Sequence, residues 1–159
     1  MSLLRYLMWL SLIVWLGGVI FFAAVLAPTV FSVLPTRHLA GNVVNRSLLV
    51  LHWMGIVSGS VFLASSMIYA HVSGGSLRVF AARHLLLYAM LVLTAISQFM
   101  VTPKMAALRA SMGDIDLAPV DSPARVAFNV LHVWSTRLEI AVLLMGLVVV
   151  YLTASALRA

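Results

Sequence analysis

Four stretches of this chain run for about 20 residues with almost no charge, and that pattern restricts the fold more than any motif does. They cover residues 7–33, 47–70, 85–102 and 140–157. A helix of about 20 apolar residues is what crosses the hydrocarbon core of a bilayer. Lipid offers no partner for open backbone N–H and C=O groups, so helices are expected throughout the spans. Composition agrees: 64% of the 159 residues are hydrophobic and only 9% are charged. A soluble domain carries about 25% charged residues. A chain this short has too little interior to hide so much apolar side chain from water. The predicted class is all-α, a single integral membrane four-helix bundle over residues 1–159.

The first span is longer than the 7–15-residue core of a signal peptide. Its apolar character also continues past "AAVLAP", so it reads as a retained helix. The fourth helix is expected to begin at Pro123, ahead of its apolar part. There "DSP" supplies Ser122 as the N-cap and Pro123 at the first helical position, where no N–H is needed. Residues 34–46 and 71–83 read as short loops. Residues 104–112 read as a short amphipathic helix lying in the interface. The third connection also holds Asp114, Asp116 and Asp121.

The net charge of +6 would point to nucleic acid in a soluble protein. Here the basic residues stand singly at segment ends, where they meet lipid headgroups, so no nucleic-acid partner is expected. Arg5, Arg78, Arg83 and Arg158 fall on one face and Arg37, Arg46, Lys104, Arg109 and Arg125 on the other. Four against five assigns no orientation. Cysteine is absent, which excludes disulfides and thiolate metal sites.

The two halves echo each other. "LAPTVFSVL" closes span one and "VTPKMAALR" closes span three; "LHWMG" begins span two and "LHVWS" begins span four. Two repeated helical hairpins would produce this pattern, as would chance among apolar helices. Either way, spans two and four start at the same membrane face. His52 and His132 therefore both lie just inside it, with Pro28 and Pro103 at similar depth. Two imidazoles so placed are candidate ligands for a metal ion such as copper or for the iron of a haem. The alternative is that each hydrogen-bonds in the headgroup zone, since no ligand spacing within one helix supports a metal.

Span four carries a polar stripe. At about 100° per residue, His132 and Glu139 are about 20° apart around the axis, with Ser135 between them. Arg137 projects to the opposite side, where it can snorkel to headgroups or meet another helix. An acidic residue inside an apolar helix costs about 2.5–3.5 kcal/mol on insertion, so Glu139 is expected to face protein or water. Elsewhere, Thr94 and Gln98 form an i,i+4 polar pair on span three. Gly55 and Gly59 have the small-xxx-small spacing of closely packed helices. The nine methionines read as packing residues rather than a Cu(I) box. No nucleotide-binding loop, nucleophile elbow or H-E-x-x-H motif is present.

Three segments, "WLGGVIFFAAVLAPTVF" (15–31), "TPKMAALR" (102–109) and "FNVLHVWSTRLE" (128–139), together resemble the transmembrane protein 205-like family. Phe128, His132 and Ser135 match the last family motif, while Glu139 stands where asparagine is common. The resemblance implies a four-helix integral membrane protein with a eukaryotic member associated with platinum-drug resistance. The fold is more distantly similar to copper-resistance D-type membrane proteins and to haem-linked membrane oxidases, a kinship by analogy only.

These readings combine into an expectation: a bacterial cytoplasmic-membrane protein that binds or moves a small ligand or metal species. The site would comprise His132, Ser135 and Glu139, with His52 opposite and Gln98 as distant support. A haem-dependent redox protein using His52 and His132 is the rival, and a non-catalytic structural or partner-binding role is another. Binding is favoured over catalysis, with lipid as the surrounding partner and a homo-oligomer admitted.

Overall fold

The computed structural model describes residues 1–73, 82–113, 115 and 117–156. Arg78, Arg158, Asp114 and Asp116, on which parts of the charge reading rest, lie outside the described residues. Four long helices make up the fold: α1 (Ser2–Val33), α2 (Arg37–Val72), α3 (Ala82–Met112) and α4 (Pro123–Ala156). All four are long and apolar enough to cross a membrane.

The helices are longer than their apolar stretches. At 1.5 Å per residue, α2 is about 54 Å long, against roughly 30 Å of hydrocarbon. The excess lies largely at the end where α2 begins. Residues 37–46, expected as loop, are its first turns, and only 34–36 connect it to α1. Thr36 makes this possible: its side chain accepts a hydrogen bond from the Leu39 N–H at 3.2 Å. Residues 104–112 are likewise a direct continuation of α3 through Pro103, not a separate interfacial helix. Pro123 does begin α4, but Ser122 caps it only through its backbone carbonyl, which accepts from Val126 N at 3.0 Å. The Ser122 hydroxyl is buried without a partner.

Prolines enter two of the helices without breaking them. A proline lacks an N–H and its ring crowds the carbonyl four residues back. Immediately before Pro28 and Pro103 the chain widens into a π turn, at Phe22–Leu26 and Ser97–Val101. In each, the residue preceding the proline bonds five residues back, Ala27 to Phe22 and Thr102 to Ser97. Such wide turns absorb a local misfit. The echo between the halves thus extends to the backbone.

Each helix packs on its two neighbours in the ring α1–α2–α3–α4, and among the described residues backbones on the diagonals do not approach each other. The core runs through Met8, Leu12, Trp15 and Leu16 of α1, Leu51 and Phe62 of α2, Leu87 and Met90 of α3, and Val142 and Val149 of α4. Large apolar residues such as Ile13, Val57, Val92 and Leu144 point outward, as they would into lipid. Small residues set the helix spacing. A Cβ on Gly55 would lie 2.5 Å from Nε1 and 2.8 Å from Cε2 of the buried Trp15 ring. Gly146 similarly gives room to Leu16. Gly55→Ala should therefore overpack the α1–α2 contact, lowering stability by about 1–3 kcal/mol. Gly17→Ala, with nothing within 4 Å of its Cβ, should leave the unfolding temperature in detergent unchanged or slightly raised.

Candidate functional site

On α2 the buried positions fall at Leu48, Leu51, His52, Gly55, Ser58, Gly59 and Phe62, a single inward face. His52 is on that face and is 1% exposed. Its Nδ1 lies 2.9 Å from Gln98 Oε1 and its Nε2 lies 2.7 Å from Glu139 Oε1. Gln98 is carried by the π turn of α3, and Glu139 by α4. Three helices thus meet on one imidazole. Beside them Trp53 and Phe99, the next residue on each of two helices, pack edge to face at 5.9 Å.

Proton accounting restricts what this triad is. A glutamine carbonyl accepts only, so Nδ1 carries a hydrogen and donates to Gln98, the amide orientation being assigned by this contact. Between Nε2 and Glu139 there is one proton. If it sits on nitrogen, the pair is imidazolium and carboxylate; if on oxygen, it is neutral imidazole and carboxylic acid. Both forms have zero net charge, so the apolar surroundings face no uncompensated ion. Removing that proton leaves a carboxylate against a nitrogen lone pair, which breaks the bond. The device is an interior hydrogen bond that holds as long as it keeps one proton.

Glu139 also faces outward. Its side chain is 18% exposed, and it sits in a cleft of about 680 Å³ between α1 and α4 that α2 and α3 also line. Beyond Phe21 the backbone of α1 no longer approaches α4, so the two helices diverge toward the end where α2 begins. Phe22, Phe31, Ile140 and Leu143 form apolar walls; Arg37, Arg109 and Arg125 stand at the mouth. From Arg125 to Glu139 the cleft follows α4 for about 20 Å.

The five candidate residues fall into two groups. His52, Gln98 and Glu139 are bonded together, with Gln98 in direct contact with His52 rather than a distant support. Ser135 and His132 line the cleft above Glu139. Ser135 is buried, whereas His132 is exposed and stacks flat on Phe128, 5° between rings and 6.3 Å between centroids. No described contact joins His132 to His52. Arg137 lies over the Trp134 ring at 5.5 Å, on the outer side of the helix. Arg125, Phe128 and Asn129 also line the cleft. The same helical stripe, followed from His132 back toward Pro123, points to them.

The donor set suits a resident metal ion or haem poorly. Both ring nitrogens of His52 face hydrogen-bond partners, and His132 is on the cleft wall. Among the described residues no group of three or more His, Cys, Asp or Glu converges.

Fold and site together define an integral membrane four-helix protein with a histidine–carboxylate bond inside it and an open cleft beside that bond. Residues 10–114 match the domain described as Domain of unknown function (DUF4149), and the chain belongs to that family. The matched region includes His52 and Gln98 and ends before Glu139. No curated protein and no solved structure matches the chain.

If the triad is one unit, His52→Ala should destabilise the protein by about 3–5 kcal/mol, because it strands Glu139. The double replacement His52→Leu with Glu139→Leu should recover most of that loss. Thermal unfolding in detergent measures both; strictly additive effects would show that the two side chains are not coupled.

Proposed function

We propose that this protein binds, and carries across part of the membrane, a small amphipathic molecule or metal species in the cleft between α1 and α4. The single observation that carries the reading is Glu139, which bonds the buried His52 on one side and faces the cleft on the other. Apolar walls suit the body of a ligand, and Ser135, His132 and the far oxygen of Glu139 offer it hydrogen bonds. Intramembrane carboxylates facing such spaces mark ligand and proton pathways. Loss of the shared proton frees Glu139 to turn toward a ligand; its return restores the bond to His52. Ligand exchange and proton exchange are thereby linked. The resemblance to the transmembrane protein 205-like family supports copper or platinum species as first probes and a bacterial cytoplasmic membrane as the setting.

Two measurements test this. Dicyclohexylcarbodiimide, an apolar reagent that couples to carboxyl groups, should modify Glu139 in membranes. Ala27→Phe, which fills the cleft, should block the reaction. Proteoliposomes should then take up Cu(I) or cisplatin at least tenfold faster with the wild-type protein than with Glu139→Gln. An unreactive Glu139 together with equal uptake by both proteins would remove the reading.

A further inference from the structure

Arg109 is not explained by the cleft. Its guanidinium is seated between the Phe128 ring, 5.1 Å from the centroid, and Gly41, where a Cβ would come within 2.6–2.7 Å of Nη2, Cζ and Nη1. One hydrogen bond reaches it from within the protein, a long 3.4 Å contact from Nη1 to Asn42 Oδ1. Its Nε is buried with no partner. Among the described residues no carboxylate pairs with it. A half-buried cation with no anion among the described residues is a costly arrangement unless an anion completes it.

The side of Arg109 away from the cleft shows what is missing. There it walls a second recess, of about 390 Å³, together with His38, Asn42, Asn45 and Gly113. His38 Nδ1 is a second buried polar atom with no partner. The recess therefore gathers a guanidinium fork, an imidazole nitrogen able to carry a hydrogen, and two amide side chains, with no carboxylate in its described lining. Every one of these groups can donate, and donors converging around a fixed positive charge select an oxyanion. Its level matters as well. Along α2, Gly41 is about 42 Å from Tyr69, which meets Arg5 near the opposite face. That distance places the recess at headgroup level or just beyond it, outside the roughly 30 Å of hydrocarbon.

We propose that this recess is an oxyanion site that binds a phosphate group, with Arg109 supplying the charge and His38, Asn42 and Asn45 the further hydrogen bonds. The phosphate belongs either to a phospholipid headgroup or to a soluble ion or ester; the recognition chemistry is the same. The site is separate from the His52–Glu139 bond, although Arg109 and Asn45 also border the cleft.

The experiment has two arms. Inorganic phosphate is titrated calorimetrically into the full chain in phosphate-free detergent buffer, and native mass spectrometry records phospholipid retained after extraction from membranes. Binding in the first arm identifies a soluble phosphate, and retention in the second alone identifies a headgroup. Arg109→Gln should weaken the positive arm at least tenfold, and Arg109→Lys, which keeps the charge but loses the fork, should weaken it less. Gly41→Ala separates this from a folding defect. The three atoms nearest its methyl all belong to the end of the Arg109 side chain, so the protein should keep its unfolding temperature and still lose affinity. No binding in either arm overturns the proposal, as does binding that survives both Arg109→Gln and Gly41→Ala. If Arg109→Gln does not fold, Gly41→Ala and His38→Ala decide, and unchanged binding in both overturns it.

Discussion

The imidazole of His52 is the point on which this end of the bundle depends. Its bond to Glu139 spans the diagonal from α2 to α4, whose described backbones do not approach, while its bond to Gln98 ties it to the adjacent α3. Apolar packing is non-directional and would tolerate several arrangements of four greasy helices. A buried imidazole with two specific partners tolerates far fewer, because any register that separates it from Gln98 or Glu139 leaves polar atoms stranded in an apolar interior. In lipid, where apolar side chains gain little by leaving one apolar medium for another, such bonds and close small-residue contacts carry more of the specificity.

The bond to His52 also accounts for the presence of a carboxyl group here. Glu139 is tolerable inside the spans because its partner lets the pair be neutral in either proton arrangement. The deep end of the cleft thus holds a carboxyl group hydrogen-bonded to the interior. The arginines at the mouth and the carboxyl at the far end give the cleft two chemically different ends joined by apolar walls.

Much of this was legible in the sequence, for physical reasons that can be named. The four spans were, because 20 apolar residues in a row have few other uses. The stripe of His132, Ser135 and Glu139 was, because 3.6-residue periodicity fixes which side chains share a face, and all three line the cleft. Gln98 was underrated. Its approach to His52 depends on a π turn, and nothing in "SQFMV" announces one except the proline that follows. The length of α2 is not legible, because "RHLAGNVVNR" is polar, and the same polarity marks a loop or a helix leaving the hydrocarbon. His52 and His132 sit on helices that start from one face, but topology gives neither their depth nor their rotation: His52 meets Glu139, about 10 Å deeper than His132, which lies on the cleft wall.

The tight contact between Leu16 and Gly146 has a mechanical meaning. It pins α1 to α4 on the closed side of the cleft, while the short 34–36 connection ties α1 to α2 at the open end. Ile115 and Val120, between α3 and α4, also line the cleft. The width of the opening between α1 and α4 depends on the angle at which they diverge. Helix tilt is a quantity that the surrounding lipid adjusts through its thickness, so the bilayer acts as a spring on this cleft as well as its solvent.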